Sequence, residues 1–233
     1  MKEVFANEWL GINFKEFSKA SNTKLPDNLF YKNFYSCLER KYSSIENLPY
    51  EWLEDKRESA KELSKLIKRV SAKKILSIGS GIRVIENYIA KLDSSLKFYC
   101  EDFSSLSCSF INDHEHVVPL SSEDISNFSY DLIILNNVDY ALSNEDYFNL
   151  LQKIIFLNYG YILISDVFLA EKMTIKSLIG HSLKKFFGWQ LWGYCRFLDE
   201  HHNIFHKVGL KVFLEGEDKR KRNFFILTKK DNS

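Results

Sequence analysis

Gly79 and Gly81 close an apolar run in KKILSIGSGIRVIENY (73–88), and a stretch able to become helical follows. Glycines at a strand-to-helix turn let the backbone approach a ligand closely, and the helix N-terminus offers it free N–H groups. About twenty residues on, FYCEDFS (98–104) places two adjacent acids, Glu101 and Asp102, at the end of a second apolar run. A dinucleotide fingerprint, G-x-G-x-x-G, needs glycine at position 84, where Val84 stands, so the pair alone names no cofactor. Other residues able to do chemistry are scattered. Asn136, Asn137 and Asp139 lie in YDLIILNNVDYAL (130–142), Asp166 in ISDVF (164–168), and Arg196 in WGYCRFLDEH (192–201). Six histidines add candidates: His201 shares a helical face with Phe197, Ile204, Phe205 and Val208, which reads as a half-buried, hydrogen-bonded side chain. His114, Glu115 and His116 do not give a metal-ligand spacing, and no metal is expected.

The bulk numbers bound the rest. The chain has 233 residues, 45% of them apolar, enough for one sizeable core. A net charge of +1 argues against a broad nucleic-acid footprint, and the basic run Lys219–Arg222 follows Glu215, Glu217 and Asp218 as a solvated hairpin tip would. Cys37, Cys100, Cys108 and Cys195 show no CxxC pattern, which fits a reduced, cytoplasmic setting. No segment is apolar enough for a signal peptide or a membrane span.

Two regimes follow along the chain. Residues 1–72 read as a helical cap without strand alternation: FYKNFYSCL (30–38) forms one helix, and a second begins behind Asn47 and Pro49 with Leu53, Ala60, Leu63, Ile67 and Val70 on one face. From residue 73 apolar runs alternate with helical patterns: strand 74–78, helix 83–92, strand 96–101, helix about 104–112, strands 116–120 and 130–135, helix 145–157, strand 160–165. Runs apolar throughout suit parallel strands covered on both faces, so the fold class is a doubly wound, mostly parallel α/β sheet. LKVFLEG (210–216) and NFFILTK (223–229), joined by a short charged turn, must be an antiparallel hairpin.

That order of elements resembles the class I S-adenosylmethionine-dependent methyltransferases, whose seven-stranded sheet ends in such a reversed hairpin. The resemblance covers about residues 50–233 and is specific in three places. ILSIGSGIR (75–83) matches the apolar strand and glycine turn at Gly79 and Gly81, with Ser80 between them. Arg83 replaces the family's third glycine, and Ser77 stands where an acid is usual. FYCEDFS matches the acid that accepts the ribose hydroxyls, best at Asp102 followed by Phe103, with Glu101 beside it. YDLIILNNVDYAL matches the fourth strand and the loop bordering the transferred methyl.

The resemblance implies a cofactor site of Ser77, Gly79, Ser80, Gly81, Glu101, Asp102, Phe103, Ser122, Asn136 and Asn137, with S-adenosylhomocysteine as product. Asp139, Asp166, Arg196 and His201 are the candidate catalytic groups. Asp166 would be a base or orienting residue at the mouth of the sheet. Arg196 would either clamp an acceptor phosphate or carboxylate, or pair with Glu200. NNVDY lacks the prolines of amino- and base-methylating members, and the metal-binding set of catechol-type relatives is incomplete. Segment 169–197 would be a lid, with Ile175, Leu178, Ile179, Leu183, Phe186 and Phe187 on one helical face, His181, Lys184 and Lys185 on the other, and weak membrane-surface contact open to Trp189, Leu191 and Trp192. The expected activity is O-methylation of a small polar acceptor, such as a sugar, nucleotide-linked or phosphorylated precursor of surface glycans. The alternatives are a non-catalytic binding scaffold and an RNA methyltransferase.

Overall fold

A computed structural model describes residues 1–19, 23–102, 114–171 and 175–230, with the side chains of 175–179 outside that description. The expected helix at 104–112, and with it Phe103, lies outside the described residues.

Seven strands form the central sheet: β4 (Lys74–Ile78), β5 (Lys97–Glu101), β6 (Val117–Pro119), β7 (Ser129–Asn136), β8 (Asn158–Val167), β10 (Leu210–Glu217) and β11 (Asn223–Lys229). Their order across the sheet is β10-β11-β8-β7-β4-β5-β6. Five strands run parallel, while β11 pairs antiparallel with both β8 and β10. The apolar runs behave as their composition requires: Ile75, Leu76, Leu132, Ile133, Ile134, Leu135, Ile162, Leu163 and Ile164 are sealed from solvent on both faces.

Helices α2 (Tyr50–Arg69) and α3 (Val84–Leu92) cover one face. Helices α4 (Asn144–Ile154) and α6 (Leu198–Val208) cover the other. Burying one such aliphatic side chain is worth about 1.5–3 kcal/mol. Strand β4 has β5 on one side and β7 on the other, so strand order reverses there and leaves a crevice beyond the carboxyl ends of β4 and β7.

The N-terminal region departs from the expected all-helical cap. Helix α1 (Asn28–Lys41), capped by Asp27 accepting from the Phe30 N–H at 2.8 Å, is present. Before it, however, β1 (Lys2–Ala6) pairs antiparallel with β9 (Gln190–Cys195), and β2 (Glu8–Trp9) and β3 (Ile12–Asn13) make a short ladder. β1, KEVFA, is not a continuous apolar run, and its partner lies far along the chain. Phe14, Phe30, Phe34, Trp9 and Trp192 then pack as an aromatic cluster, with Trp192 stacked on Phe14 at 5.0 Å and Trp9 on Phe34 at 4.7 Å.

Segment 169–197 holds both a helix and a strand. Helix α5 (Ile175–Phe186) gives way to β9, which ties the segment to the cap. Leu183, Phe186 and Phe187, expected on a packed face, are exposed, whereas Leu191 is buried and Trp192 packs against the cap. No helix among the described residues is long and apolar enough to cross a membrane.

Candidate functional site

The glycine turn sits at the tip of β4. Gly79 and Gly81 adopt φ of +70° and +54°, a region that costs residues with a Cβ about 1–2 kcal/mol. At Gly79 a Cβ would also stand 2.7 Å from Val138 Cγ2. The third unusual position is Arg83, at φ +52°: glycine would suit this place, and Arg83 adopts the strained form, its carbonyl accepting from Asn87 Nδ2 at 2.8 Å. The turn is tied to β5, since Gly79 and Ser80 donate to the Glu101 carbonyl at 2.8 and 3.2 Å. Gly81 N–H donates to Asp102 Oδ2 at 2.7 Å, which brings the acid beside the glycines.

A cavity of about 540 Å³ opens from this turn. Its floor is Gly79, Ser80, Gly81, Glu101, Asp102, Asn136 and Asn137. Its roof comes from the cap: Trp9, Tyr31, Tyr35, Trp52 and Lys56. Burial pushes the Glu101 carboxyl up, and Ser122 Oγ donates to it at 2.6 Å, so Ser122 reaches the site through Glu101. Ser77 lies under the turn, buried, and its hydroxyl donates to Glu86 Oε1 at 2.6 Å. Asn136 accepts from Ser165 Oγ at 2.8 Å, and Asn137 donates from its backbone to the Ser165 carbonyl at 2.9 Å, which fixes the end of β7. Desolvation raises the Tyr31 hydroxyl well above its ordinary value, with Tyr140, Tyr35 and Asp102 adding to the effect.

The four expected catalytic residues lie elsewhere. Asp139, on the loop after β7, is 2% exposed. Arg196 is sealed completely, does not border the cavity and makes no ion pair with Glu200. It donates to the carbonyls of Asp139 and Leu142 at 2.5 and 2.6 Å and to Asn144 Oδ1 at 2.8 Å, pinning the loop after β7 to the start of α4. Glu200 instead takes the Phe197 N–H and the N-terminal ammonium.

His201 is fully buried rather than half-buried, and neither ring nitrogen has a hydrogen-bond partner. The nearest carboxylate is Asp139, at 3.8 Å. Burial pushes Asp139 up to about 7 and His201 down to about 3, so both groups are neutral between about pH 4 and 6, and at neutral pH the carboxyl is in mid-titration beside a neutral imidazole. Asp166, at φ +61°, faces Arg220 at 3.1 Å and Arg222 at 3.5 Å in a separate small cavity, not the mouth of the crevice.

Sequence reasoning missed Glu86 and the cap residues of the roof. An acid inside the apolar stretch VIENYIAKL is a signal for Glu86, since an unsolvated carboxylate needs a reason. Nothing in the sequence marks Trp9, Tyr31, Tyr35, Trp52 or Lys56 as neighbours of the glycines. Among the described residues no group of three His, Cys, Asp or Glu side chains is placed to hold a metal ion.

No protein-family model matches the chain, and no curated protein matches its sequence. Solved structures do match. Human N-acetylserotonin methyltransferase in complex with S-adenosylmethionine aligns with a TM-score of 0.58 at 15% identity, over 88% of this chain and 57% of that one. Mitomycin 7-O-methyltransferase MmcR gives 0.57 at 13% identity, over 76% and 53%. An O-methyltransferase family protein from Burkholderia thailandensis gives 0.57 at 12%, over 78% and 59%. The chain thus spans a little over half the length of these structures. With its reversed hairpin and its glycine turn at the switch point, the chain has the fold of the class I S-adenosylmethionine-dependent methyltransferases.

Proposed function

We propose that the chain is an S-adenosylmethionine-dependent methyltransferase that transfers the methyl group to an oxygen of a small acceptor. The observation that carries this reading is the crevice itself, in which the glycine turn, Asp102 and the end of β7 converge on one cavity. Its lining carries the carboxylates of Glu86, Glu101, Asp102 and Asp146 against the ammonium of Lys56, an excess that suits a ligand bearing positive charge.

Asp102 would accept the sugar hydroxyls, beside Glu101 held by Ser122. Gly79, Ser80 and Gly81 would let the backbone come close, and Asn136 and Asn137 would border the methyl. The bound cofactor would supply a methyl group already activated by its sulfonium charge. The protein's own work is then orientation, exclusion of water and a route for the acceptor's proton. That route would run to lining groups rather than to Asp139, Asp166, Arg196 or His201, none of which borders the cavity.

Aromatic faces of Trp9, Tyr31, Tyr35 and Trp52 support an acceptor with a flat ring face, and Lys56, over the Trp52 ring at 5.4 Å, supports one with an anionic group. A sugar-containing or phosphorylated precursor keeps that support but loses Arg196. The test is release of S-adenosylhomocysteine from S-adenosylmethionine over a panel of hydroxylated acceptors with and without phosphate. A non-catalytic scaffold would bind the cofactor and release none, or bind nothing.

A further inference from the structure

We propose that Glu86 is the carboxylate that receives the ammonium group of the cofactor's amino-acid end, a role displaced here from the strand to the helix. The proposal rests on the cofactor reading above. Where the family pattern has an acid, this strand has Ser77, and Ser77 is buried with its hydroxyl donated to Glu86 Oε1 at 2.6 Å. Glu86 is only 4% exposed, yet it borders the same cavity as Gly79, Gly81 and Asp102.

A carboxylate removed from water needs donors, and it has about four acceptor positions. The Ser77 hydroxyl and a backbone N–H serve two of them, and the Arg83 guanidinium adds a favourable charge nearby. Burial still raises the Glu86 carboxyl above its ordinary range, with Asp102 adding to the shift and Ser77, the backbone N–H and Arg83 opposing it. A cationic donor arriving from the cavity would satisfy the remaining positions and favour the charged form. Two further features fit. Glu86 lies in the first turn of α3, where the helix dipole favours an anion. An acid at position 77 would also press a second negative charge against Glu86, so the strand residue has become a small donor instead. Asp102 and Glu86 then stand as two carboxylates in one crevice, one for the sugar and one for the amino-acid end.

The experiment compares two ligands by calorimetry: S-adenosylhomocysteine, which has the ammonium, and 5′-methylthioadenosine, which keeps the nucleoside and thioether but lacks the amino-acid group. Glu86→Gln is expected to weaken S-adenosylhomocysteine at least tenfold and leave methylthioadenosine within about twofold. The swap Ser77→Asp with Glu86→Ala should restore most of the lost discrimination, and it serves equally if the glutamine variant folds poorly. Equal losses for both ligands, or no loss for either, overturn the role of Glu86 while leaving the cofactor site standing. A wild-type protein that binds neither ligand overturns both.

Discussion

Replacing Gly79 by alanine tests the geometry of the turn most sharply. The added Cβ meets two separate penalties. At φ +70° the side chain itself costs about 1–2 kcal/mol. The methyl also arrives 2.7 Å from Val138 Cγ2, well inside contact distance, and overpacking of that kind costs about 1–3 kcal/mol unless the loop after β7 shifts. Gly79→Ala should therefore destabilise the chain by about 2–5 kcal/mol. Val138→Ala removes the offending methyl groups but not the backbone strain. In that background the same glycine substitution should cost only about 1–2 kcal/mol. The assay is urea unfolding followed by tryptophan fluorescence for wild type, both single variants and the double variant, analysed as a double-mutant cycle. Equal costs of Gly79→Ala in both backgrounds would refute the close approach of turn and loop. The same cycle run on cofactor affinity asks whether the loop that bears Asn137 and Val138 is part of the site.

Three further outcomes follow from the buried polar groups. Asp139 and His201 together should hold one proton in the folded state, on the carboxyl, and one in the unfolded chain between about pH 4 and 6.5, on the imidazole, so the pair leaves wild-type stability flat there. Asp139→Asn exposes the histidine's contribution, and relative to wild type the variant should lose stability as pH falls from about 6.5 to about 4. His201→Phe exposes the acid's contribution, with stability lost as pH rises from about 4 to about 7; each slope approaches 1.4 kcal/mol per pH unit in chemical denaturation. Parallel curves for all three proteins would contradict the neutral pair. Arg196→Met should cost about 3–5 kcal/mol by orphaning two carbonyls and Asn144, and Arg196→Lys should rescue little, because one ammonium cannot serve three acceptors in that fork; thermal melts decide it.

The sheet was legible in the sequence because its strands are buried on both faces, which leaves runs such as ILSI and DLIIL unbroken by polar residues. The closing hairpin was legible from its short charged turn. Strands β1 and β9 were not: neither is a continuous apolar run, and what makes them strands is pairing between segments far apart in the chain. The glycine turn and Asp102 could be found because backbone freedom and strand ends leave marks at fixed spacing. The direction in which a polar side chain points leaves none. Arg196, His201 and Asp139 carry the residue types of catalysis, but folding aims them inward: Arg196 holds the loop after β7 to the start of α4, and Asp139 and His201 lie buried beside it. Glu86 shows the reverse, a helix acid that folding brings into the cavity.

Everything functional depends on a nucleoside whose sugar is seated against Asp102. Calorimetric titration of the intact chain with S-adenosylhomocysteine, repeated on Asp102→Asn, measures this directly, since asparagine can still accept from the Gly81 N–H while the charge is gone. One saturable site is expected in wild type, weakened tenfold or more in the variant, as the loss of a charge-assisted hydrogen bond worth roughly 1.5–3 kcal/mol requires. Absence of heat at millimolar ligand, or equal affinity in the two proteins, would contradict the account.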